Sequence, residues 1–293
     1  MNRLFQKNLF LFFLLILVFS GCTRKENELI PDNIAPPDPT ISNVTKENYV
    51  NKVYISLLGK KPDSTEFQQG LSILNKNNLS VDNRHELLDI IFSKPEYKNH
   101  LYSIARVDLL NDQDTNEIAQ NIAIYEILLQ DSSYMIIWDQ INYEIARLNE
   151  LRRVPAGLID GTINEIELHH RCVNNYYYDQ INMGTANFVV SMWQHFLIRY
   201  PTDEELYNAS KMVDGFNAIV FLQTGVGKKD FLDIFFNSAD YFEGQVRDLY
   251  SRYLFRLPSS SEMSAAAVKY KNSKNYQELQ KDILSFNEYV GIK

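Results

Sequence analysis

The densest group of side chains able to bind a metal ion or move protons lies at residues 165–172, which read Glu-Ile-Glu-Leu-His-His-Arg-Cys. On a helix Glu165 and His169 are four residues apart and share a face, as do Leu168 and Cys172. A carboxylate and an imidazole on one face can hold a metal ion that activates water for hydrolysis. A charged helix face with one buried cysteine explains the same residues. We therefore predict no metal site and keep Glu165 and His169 as the candidates should one exist.

Two further motifs are incomplete. Residues 85–89 (His-Glu-Leu-Leu-Asp) match half of the H-E-x-x-H zinc motif, but Asp89 stands where the second histidine is needed. Residues 225–229 (Gly-Val-Gly-Lys-Lys) resemble part of a phosphate-binding loop, yet Leu222 replaces the first glycine of that pattern and Lys229 replaces its Ser or Thr. We interpret the second motif as a flexible loop. With no nucleophile or carboxylate pair that spacing singles out, we predict no catalytic residue, no enzymatic activity and no cofactor.

Aromatic side chains give the remaining indication of binding. Tyr176, Tyr177 and Tyr178 follow two asparagines and precede Asp179. Tyrosine rings flanked by amides and carboxylates suit sugar faces and protein partners. We predict that these three residues contact a ligand or partner, although tyrosines packed between helices would give the same pattern.

An internal repeat, present three times, must position these residues. Each copy has an aromatic residue, a Leu four residues later, a Pro four further and a Glu four further. The copies are Tyr54-Leu58-Pro62-Glu66, Trp193-Leu197-Pro201-Glu205 and Tyr250-Leu254-Pro258-Glu262. Each copy closes with a short segment that ends in an acidic residue and Tyr, at 93–97, 237–241 and 285–289. Repeats of this kind build scaffolds and binding surfaces more often than active sites.

The repeat predicts a helical unit. The step of four places the aromatic residue and the Leu on one helix face, and the Pro cannot continue that helix. A second helix begins after it, because Asp63, Thr202 and Ser259 are good N-caps and a Glu follows each of them at capping-box spacing. A third apolar helix precedes each acidic–Tyr pair. The repeated Glu is thus predicted to be structural.

These patterns predict an all-α fold with four parts behind a signal and tether. The parts are helical repeat 1 (47–110), a helical insert (111–187), helical repeat 2 (188–244) and helical repeat 3 (245–293). Within the insert, Ile118 to Leu129 and Met135 to Leu151 have helical apolar spacing.

The start of the chain is predicted to be a lipoprotein signal peptide (1–21). Arg3 and Lys7 precede an apolar run at 9–19, which is too short to span a bilayer. The run ends in Ser20-Gly21-Cys22, which resembles the bacterial lipobox and implies lipidation of Cys22. An ordinary signal peptide with a chance cysteine is the alternative.

Residues 22–46 are predicted to be the lipidated cysteine and a flexible tether, since they contain four prolines and no apolar periodicity. Thr23 is not the Asp that favours retention in the inner membrane. Residues 24–28 (Arg-Lys-Glu-Asn-Glu) resemble the export tag of surface lipoproteins in Bacteroidota. We predict a lipid anchor in the outer membrane, with a surface-exposed body favoured over a periplasmic one.

The mature chain is acidic. Once Arg3 and Lys7 leave with the signal peptide, 27 basic residues face 37 acidic residues. This balance disfavours nucleic acid and anionic lipid as partners. Cys172 is then the one remaining free cysteine, so no disulfide within the mature chain is possible.

The first repeat resembles a domain of unknown function found beside cytochrome-like modules in planctomycete proteins. The resemblance rests on Tyr54, the Leu-Gly-Lys-Lys-Pro step at 58–62, Glu66 and Ser-Lys-Pro-Glu-Tyr at 93–97. The later repeats are similar to those of phycobilisome linkers and of some S-layer proteins. These resemblances imply a helical fold with a role in assembly or surface attachment. The chain contains no C-x-x-C-H haem attachment motif.

Together these observations favour a non-enzymatic outer-membrane lipoprotein that acts as a helical scaffold or accessory subunit of an envelope complex. The alternative is a surface lipoprotein that binds polysaccharide or matrix glycan through Tyr176–Tyr178. A metal-dependent hydrolase built on Glu165 and His169 is the third possibility.

Overall fold

The structure is a computed structural model that describes residues 41–292. The predicted signal peptide, Cys22 and the tether up to residue 40 lie outside the described residues. Within 41–292, the regular structure is helical apart from one two-stranded hairpin, which confirms the all-α prediction. None of the helices in this part of the chain is long and apolar enough to cross a membrane.

The helices follow one another along the chain with short connections. Repeat 1 contains α1 (Asn43–Leu58), α2 (Ser64–Asn75) and α3 (Val81–Phe92), followed by α4 (Pro95–Leu110). The insert contains α5 (Thr115–Leu128), a 3-10 helix (Ser132–Ile137), α6 (Trp138–Arg152), α7 (Val154–Asp160), α8 (Glu165–Val173) and α9 (Tyr176–Ile181). Repeat 2 contains α10 (Thr185–Leu197), α11 (Asp203–Val213), strands β1 (Ala218–Val220) and β2 (Gln223–Gly225), and α12 (Gly227–Asn237). Repeat 3 contains α13 (Ala239–Leu254), α14 (Ser260–Ser273), α15 (Tyr276–Leu284) and α16 (Asn287–Val290).

Each repeat has the predicted start to its second helix. The side chains of Asp63, Thr202 and Ser259 accept a hydrogen bond from the backbone of the Glu three residues later. Each Glu side chain in turn accepts a hydrogen bond from the backbone N–H of its cap residue. All three capping boxes are therefore confirmed, and the repeated Glu is accounted for by the backbone groups that it satisfies.

The residue after the repeated Leu adopts a left-handed backbone conformation in every copy. Gly59 has φ of 68°, Ile198 has φ of 54° and Phe255 has φ of 56°. This conformation ends the first helix and turns the chain toward the repeated Pro. It costs a residue with a Cβ about 1–2 kcal/mol, so repeats 2 and 3 carry strain that repeat 1 avoids.

The acidic residue of each closing segment forms an ion pair with the base that follows the turn. Lys60 pairs with Glu96 at 3.3 Å, Arg199 with Asp240 at 3.2 Å, and Arg256 with Glu288 at 2.8 Å. The pair thus joins the first helix of a repeat to its closing segment. The following Tyr is buried in each copy.

The structure corrects two of the predicted boundaries and one predicted loop. Helix α13 runs through the boundary placed between 244 and 245, so repeats 2 and 3 share one helix. Helix α1 begins at Asn43, inside the predicted tether. The segment expected to be a flexible loop is ordered, because Gly225 pairs with Ala218 in the β hairpin and α12 begins at Gly227.

Repeat 3 packs directly against repeat 1. The Tyr49 hydroxyl donates to the carbonyl oxygen of Leu284 at 3.2 Å, and the guanidinium of Arg84 donates to the carbonyl oxygen of Ser285 at 2.5 Å. Lys281 forms an ion pair with Asp89. The units therefore close on one another, and residues from Ile41 onward form one compact unit.

Two helices approach closely at Gly244, where α13 crosses the end of α10. A Cβ at this position would overlap the carbonyl oxygen of Phe196 and lie 2.8 Å from Cα of Leu197. The backbones meet there, so no side-chain rotation can make room. We infer that α13 requires glycine at this position.

We expect Gly244→Ala to lower the free energy of unfolding by about 3 kcal/mol, because the two backbones must separate. At an unconstrained helical position the same change would stabilise the protein by about 1 kcal/mol, so the sign of the effect is decisive. Urea unfolding followed by circular dichroism measures it. Gly161→Ala is the control, because Gly161 has φ of 79° and open space around its Cα. That variant should lose only about 1 kcal/mol from backbone strain, and an unchanged or more stable Gly244→Ala protein would contradict the close approach.

Candidate functional site

A cavity of about 320 Å³ lies where the three repeats and the insert meet. Helices α1, α4, α8, α10, α13 and α15 all contribute to its wall. The wall includes three carboxyl groups and three imidazoles, from Asp108, Glu165, Asp248, His100, His169 and His195. A polar cavity of this kind at the junction of units is the best candidate for a ligand site in the described part of the chain.

Glu165 is the most unusual group in the cavity wall. It lies in the first turn of α8, where Asn164 caps the helix by accepting a hydrogen bond from the backbone of Glu167. Glu165 is only 7% exposed, and its carboxyl group makes no hydrogen bond to any of the described residues. Burial raises its pKa to about 8, an effect that Lys98 and Arg252 only partly offset. The carboxyl is therefore mostly protonated at neutral pH.

His169 lies beside Glu165, as the spacing on α8 predicts. Its Nε2 atom is 3.5 Å from a carboxyl oxygen of Glu165, and its Nδ1 atom is 2.8 Å from the hydroxyl of Tyr241. Burial lowers the pKa of His169 to about 3, with a smaller contribution from Arg252. Both members of the pair are thus largely neutral at pH 7, and they do not form an ion pair there.

Another part of the cavity wall contains a chain of hydrogen bonds that joins two tyrosines through a glutamine. The Tyr97 hydroxyl donates to the side-chain oxygen of Gln280 at 2.6 Å, and the Gln280 amide nitrogen donates to the hydroxyl of Tyr253 at 2.9 Å. Arg252 pairs with Asp248 one turn away at 3.0 Å. These groups already have protein partners, in contrast to Glu165.

The sequence did not single out Tyr97, Asp248, Arg252 or Gln280 as site residues. They come from three helices that are distant in sequence, and nothing in their local spacing marks them. The one available signal is that Tyr97 belongs to a closing segment of the repeat. The site therefore could be found only after the helices were assembled.

The structure brings other parts of the 165–172 cluster to different places. Leu168 and Cys172 share a face, as predicted, and both are fully buried. Burial raises the pKa of the Cys172 thiol well above its usual value, which keeps it protonated. Within residues 41–292, no group of three His, Cys, Asp or Glu side chains is placed to hold a metal ion.

The incomplete motifs have structural partners. His85 Nε2 lies 3.2 Å from the hydroxyl of Ser285, at the contact between repeats 1 and 3. Lys228, from the motif that resembles a phosphate loop, forms an ion pair with Asp179 and lies 4.5 Å from the centre of the Phe188 ring. Both side chains thus support packing between units.

The three consecutive tyrosines do not form a common surface. Tyr177 and Tyr178 are buried, and their hydroxyls bond to Asn121 and His195. Tyr176 is 38% exposed and packs edge-on against Tyr125. Of the three predicted contact residues, Tyr176 alone remains available to a ligand at the surface.

A second feature is a large apolar surface at the end of the helical hairpin formed by α5, the 3-10 helix and α6, which we call the hairpin end. Its exposed apolar side chains are Ile124, Ile127, Tyr134, Met135, Ile136, Ile137 and Tyr143. Ile136 is 94% exposed, and no residue of the 3-10 helix is buried. Exposed apolar residues grouped in this way mark interaction surfaces.

The same hairpin is acidic. Residues 115–152 contain six Asp and Glu residues and two Arg residues, and Arg147 pairs with Glu144. This segment could not be identified from the sequence, because its apolar residues have ordinary helical spacing and resemble a core-facing stripe. Only the tertiary structure shows that no other helix of residues 41–292 covers the hairpin end.

No family model, no curated protein and no solved structure matches this chain. The resemblances of its repeats to the planctomycete domain and to linker-type repeats therefore stay predictions.

The buried carboxyl gives a pH dependence that can be measured. The pKa of Glu165 is about 8 in the folded state against 4.5 for the free group. Between pH 4.5 and pH 8 the folded protein therefore keeps a proton that the unfolded chain has released. Stability is therefore lost as the pH rises toward 8. The imidazoles of His100, His169, His170 and His195 have lowered pKa values and the opposite effect, and the stability that they contribute is lost as the pH falls toward 6.5 and below. The difference between the wild type and a Glu165 variant that cannot ionise thus isolates Glu165.

We expect the free energy of unfolding of the wild type, relative to that of Glu165→Gln, to fall by roughly 1 kcal/mol per pH unit from about pH 6.5 to 8, as measured by urea unfolding. Glu165→Gln cannot ionise and is therefore the reference. Glu167→Gln is the matched control on the same helix and should follow the wild type, since Glu167 pairs with Arg171 outside the cavity. Equal pH dependence of the wild type and Glu165→Gln would contradict the assigned burial of Glu165.

Proposed function

We propose that this chain is a non-enzymatic lipoprotein of the outer membrane, exposed at the cell surface, that acts as a helical scaffold or accessory subunit of an envelope complex. The observation that carries this proposal is the apolar, acidic hairpin end. Apolar side chains exposed in this way raise the free energy of the protein in water. A protein partner that covers it would remove the apolar side chains from solvent.

The charge of the hairpin specifies the chemistry of the partner. Six acidic residues against two basic residues in 115–152 favour an apolar groove rimmed by Lys and Arg. The same charge disfavours insertion into anionic lipid, since the carboxylates would face like-charged headgroups. We therefore propose a protein partner rather than a lipid surface for the hairpin end.

The alternative, binding of polysaccharide or matrix glycan through Tyr176–Tyr178, has less support. Sugar recognition by stacking needs exposed ring faces, and two of these three rings are buried. Changing Tyr177 or Tyr178 to Ala would disturb the core, so glycan retention is best tested with Tyr176→Ala alone.

We expect a photoreactive amino acid at position 136 to crosslink one defined protein in living cells, because Ile136 projects from the hairpin end. The same amino acid at Val268, which is 57% exposed on α14, is the control and should not give that product. Mass spectrometry of the crosslinked band identifies the partner.

A triple variant, Met135→Ser, Ile136→Ser and Ile137→Ser, should abolish stoichiometric co-purification of that partner. The control replaces three scattered exposed residues, Val81, Leu257 and Val268, with Ser and should retain it. Co-purification should also weaken as salt rises, because the contact is acidic against basic. Equal recovery of the partner with both triple variants, or no product specific to position 136, would overturn the proposed role of the hairpin end.

The membrane anchor is tested separately. We expect metabolic labelling with palmitate to mark the wild-type protein, and Cys22→Ser to lose both the label and outer-membrane fractionation, because lipidation requires the thiol. Cys172→Ser, which alters the other cysteine, should keep both. An unlabelled wild-type protein would indicate an ordinary signal peptide, and unchanged fractionation of Cys22→Ser would contradict a lipid anchor. Protease accessibility on intact cells then distinguishes the surface from the periplasm.

A further inference from the structure

We propose that the central cavity binds a small organic cation, with its ammonium group seated against the carboxyl of Glu165. This inference is independent of the scaffold role, because the cavity and the hairpin end involve different side chains.

Glu165 lacks a hydrogen-bond partner among the described residues. A buried polar group without a hydrogen bond costs about 1–3 kcal/mol, and more when it is charged. Glu165 is more than nine-tenths buried and lines the cavity, yet none of the described residues donates a hydrogen bond to it. The neutral imidazole of His169, 3.5 Å away, does not supply the positive charge that would let the carboxyl ionise. A ligand with N–H donors and a positive charge would supply both the hydrogen bond and that charge.

The charges that face the cavity also favour a cation. Helix α4 contributes Asp108 and His100, and Lys98 lies near Glu165. Helix α8 contributes Glu165 and His169, and α10 contributes His195. Helix α13 contributes Asp248 and Arg252, which pair with each other. Burial lowers the pKa of all three imidazoles. Even with Glu165 protonated, the wall holds two further carboxyl groups, Asp108 and Asp248, against the one guanidinium of Arg252, and an anionic ligand is disfavoured.

Aromatic rings supply a further feature of the wall. Tyr97 and Tyr253 lie there and are held by hydrogen bonds to the side chain of Gln280. Tyr276 adds a third tyrosine to the wall. Aromatic rings next to a carboxylate are the usual surroundings of a bound ammonium group.

The size and opening of the cavity restrict the ligand further. A volume of about 320 Å³ is at the small end of ligand sites. Asp108, Gln194 and His195 line the cavity and are themselves exposed, so solvent reaches it from that side.

Calorimetry with the detergent-solubilised full-length protein tests this inference, and cadaverine (1,5-diaminopentane) is the probe. We expect saturable binding of one cadaverine per chain. 1,5-Pentanediol has the same length without the charge, and glutarate has the opposite charge; neither should bind. Glu165→Gln should weaken cadaverine binding at least tenfold, while Glu167→Gln should leave it unchanged.

A second variant and a second readout guard against misfolding. Asp108→Asn changes an exposed residue at the cavity mouth and should weaken binding severalfold with the fold intact. Cadaverine should also raise the melting temperature of the wild type and of Glu167→Gln, but not that of Glu165→Gln.

Three results would overturn the proposal. The first is equal binding of pentanediol, which would indicate a hydroxyl site. The second is saturable binding of Zn²⁺ that depends on Glu165 and His169 when no amine binds, which would indicate a metal site. The third is the absence of saturable binding by cadaverine, methylammonium and spermidine up to millimolar concentration.

Discussion

Arg84 is buried, and no carboxylate of the described residues forms an ion pair with it. Its guanidinium instead donates to the carbonyl oxygens of Leu79 and Ser285 and to the side-chain oxygen of Asn287. A desolvated cation is tolerated only when such acceptors surround it. Two of these acceptors belong to the last segment of the chain, so repeat 1 is satisfied only when repeat 3 docks against it. The closed arrangement of the repeats, and the cavity at their centre, depend on this contact.

The repeats share one backbone conformation but differ in the backbone strain at its turn. Each copy turns through a left-handed residue, caps its second helix with a Glu and joins its closing segment by an ion pair. Repeat 1 uses Gly59 in the turn without strain, whereas Ile198 and Phe255 hold the same conformation with large side chains. Ile198 lines the cavity, while Phe255 is 84% exposed. Packing and capping around each turn must therefore offset a local cost, as they do where strained residues serve a site.

The insert gives the molecule its two candidate interaction features. Helix α8 places Glu165 and His169 in the wall of the central cavity. Helices α5 and α6 carry the hairpin end outward, where apolar side chains lack cover. One feature is a buried carboxyl in need of a partner and the other is an exposed apolar surface in need of one. Both depart from the usual distribution of polar groups outside and apolar groups inside, and both lie in the segment that is not repeated.

The sequence by itself determined the local structure of this protein. The patterns that predicted it are the step of four residues, the Pro after the repeated Leu, and the cap residue followed by Glu. All of them report contacts within one or two helical turns. For that reason the helices, the three capping boxes and the pairing of Glu165 with His169 on α8 were predictable. Their relative placement was not, because contacts such as Arg84 with Ser285 and Tyr97 with Gln280 join residues far apart in the chain. The β hairpin was missed because its strands are only three residues each. Only the tertiary structure decided that Tyr177 and Tyr178 are buried and that Glu165 lines a cavity without a hydrogen bond from any described residue. It also decided that no other helix of residues 41–292 covers the hairpin end. Burial is a property of the assembled helices and not of any one of them.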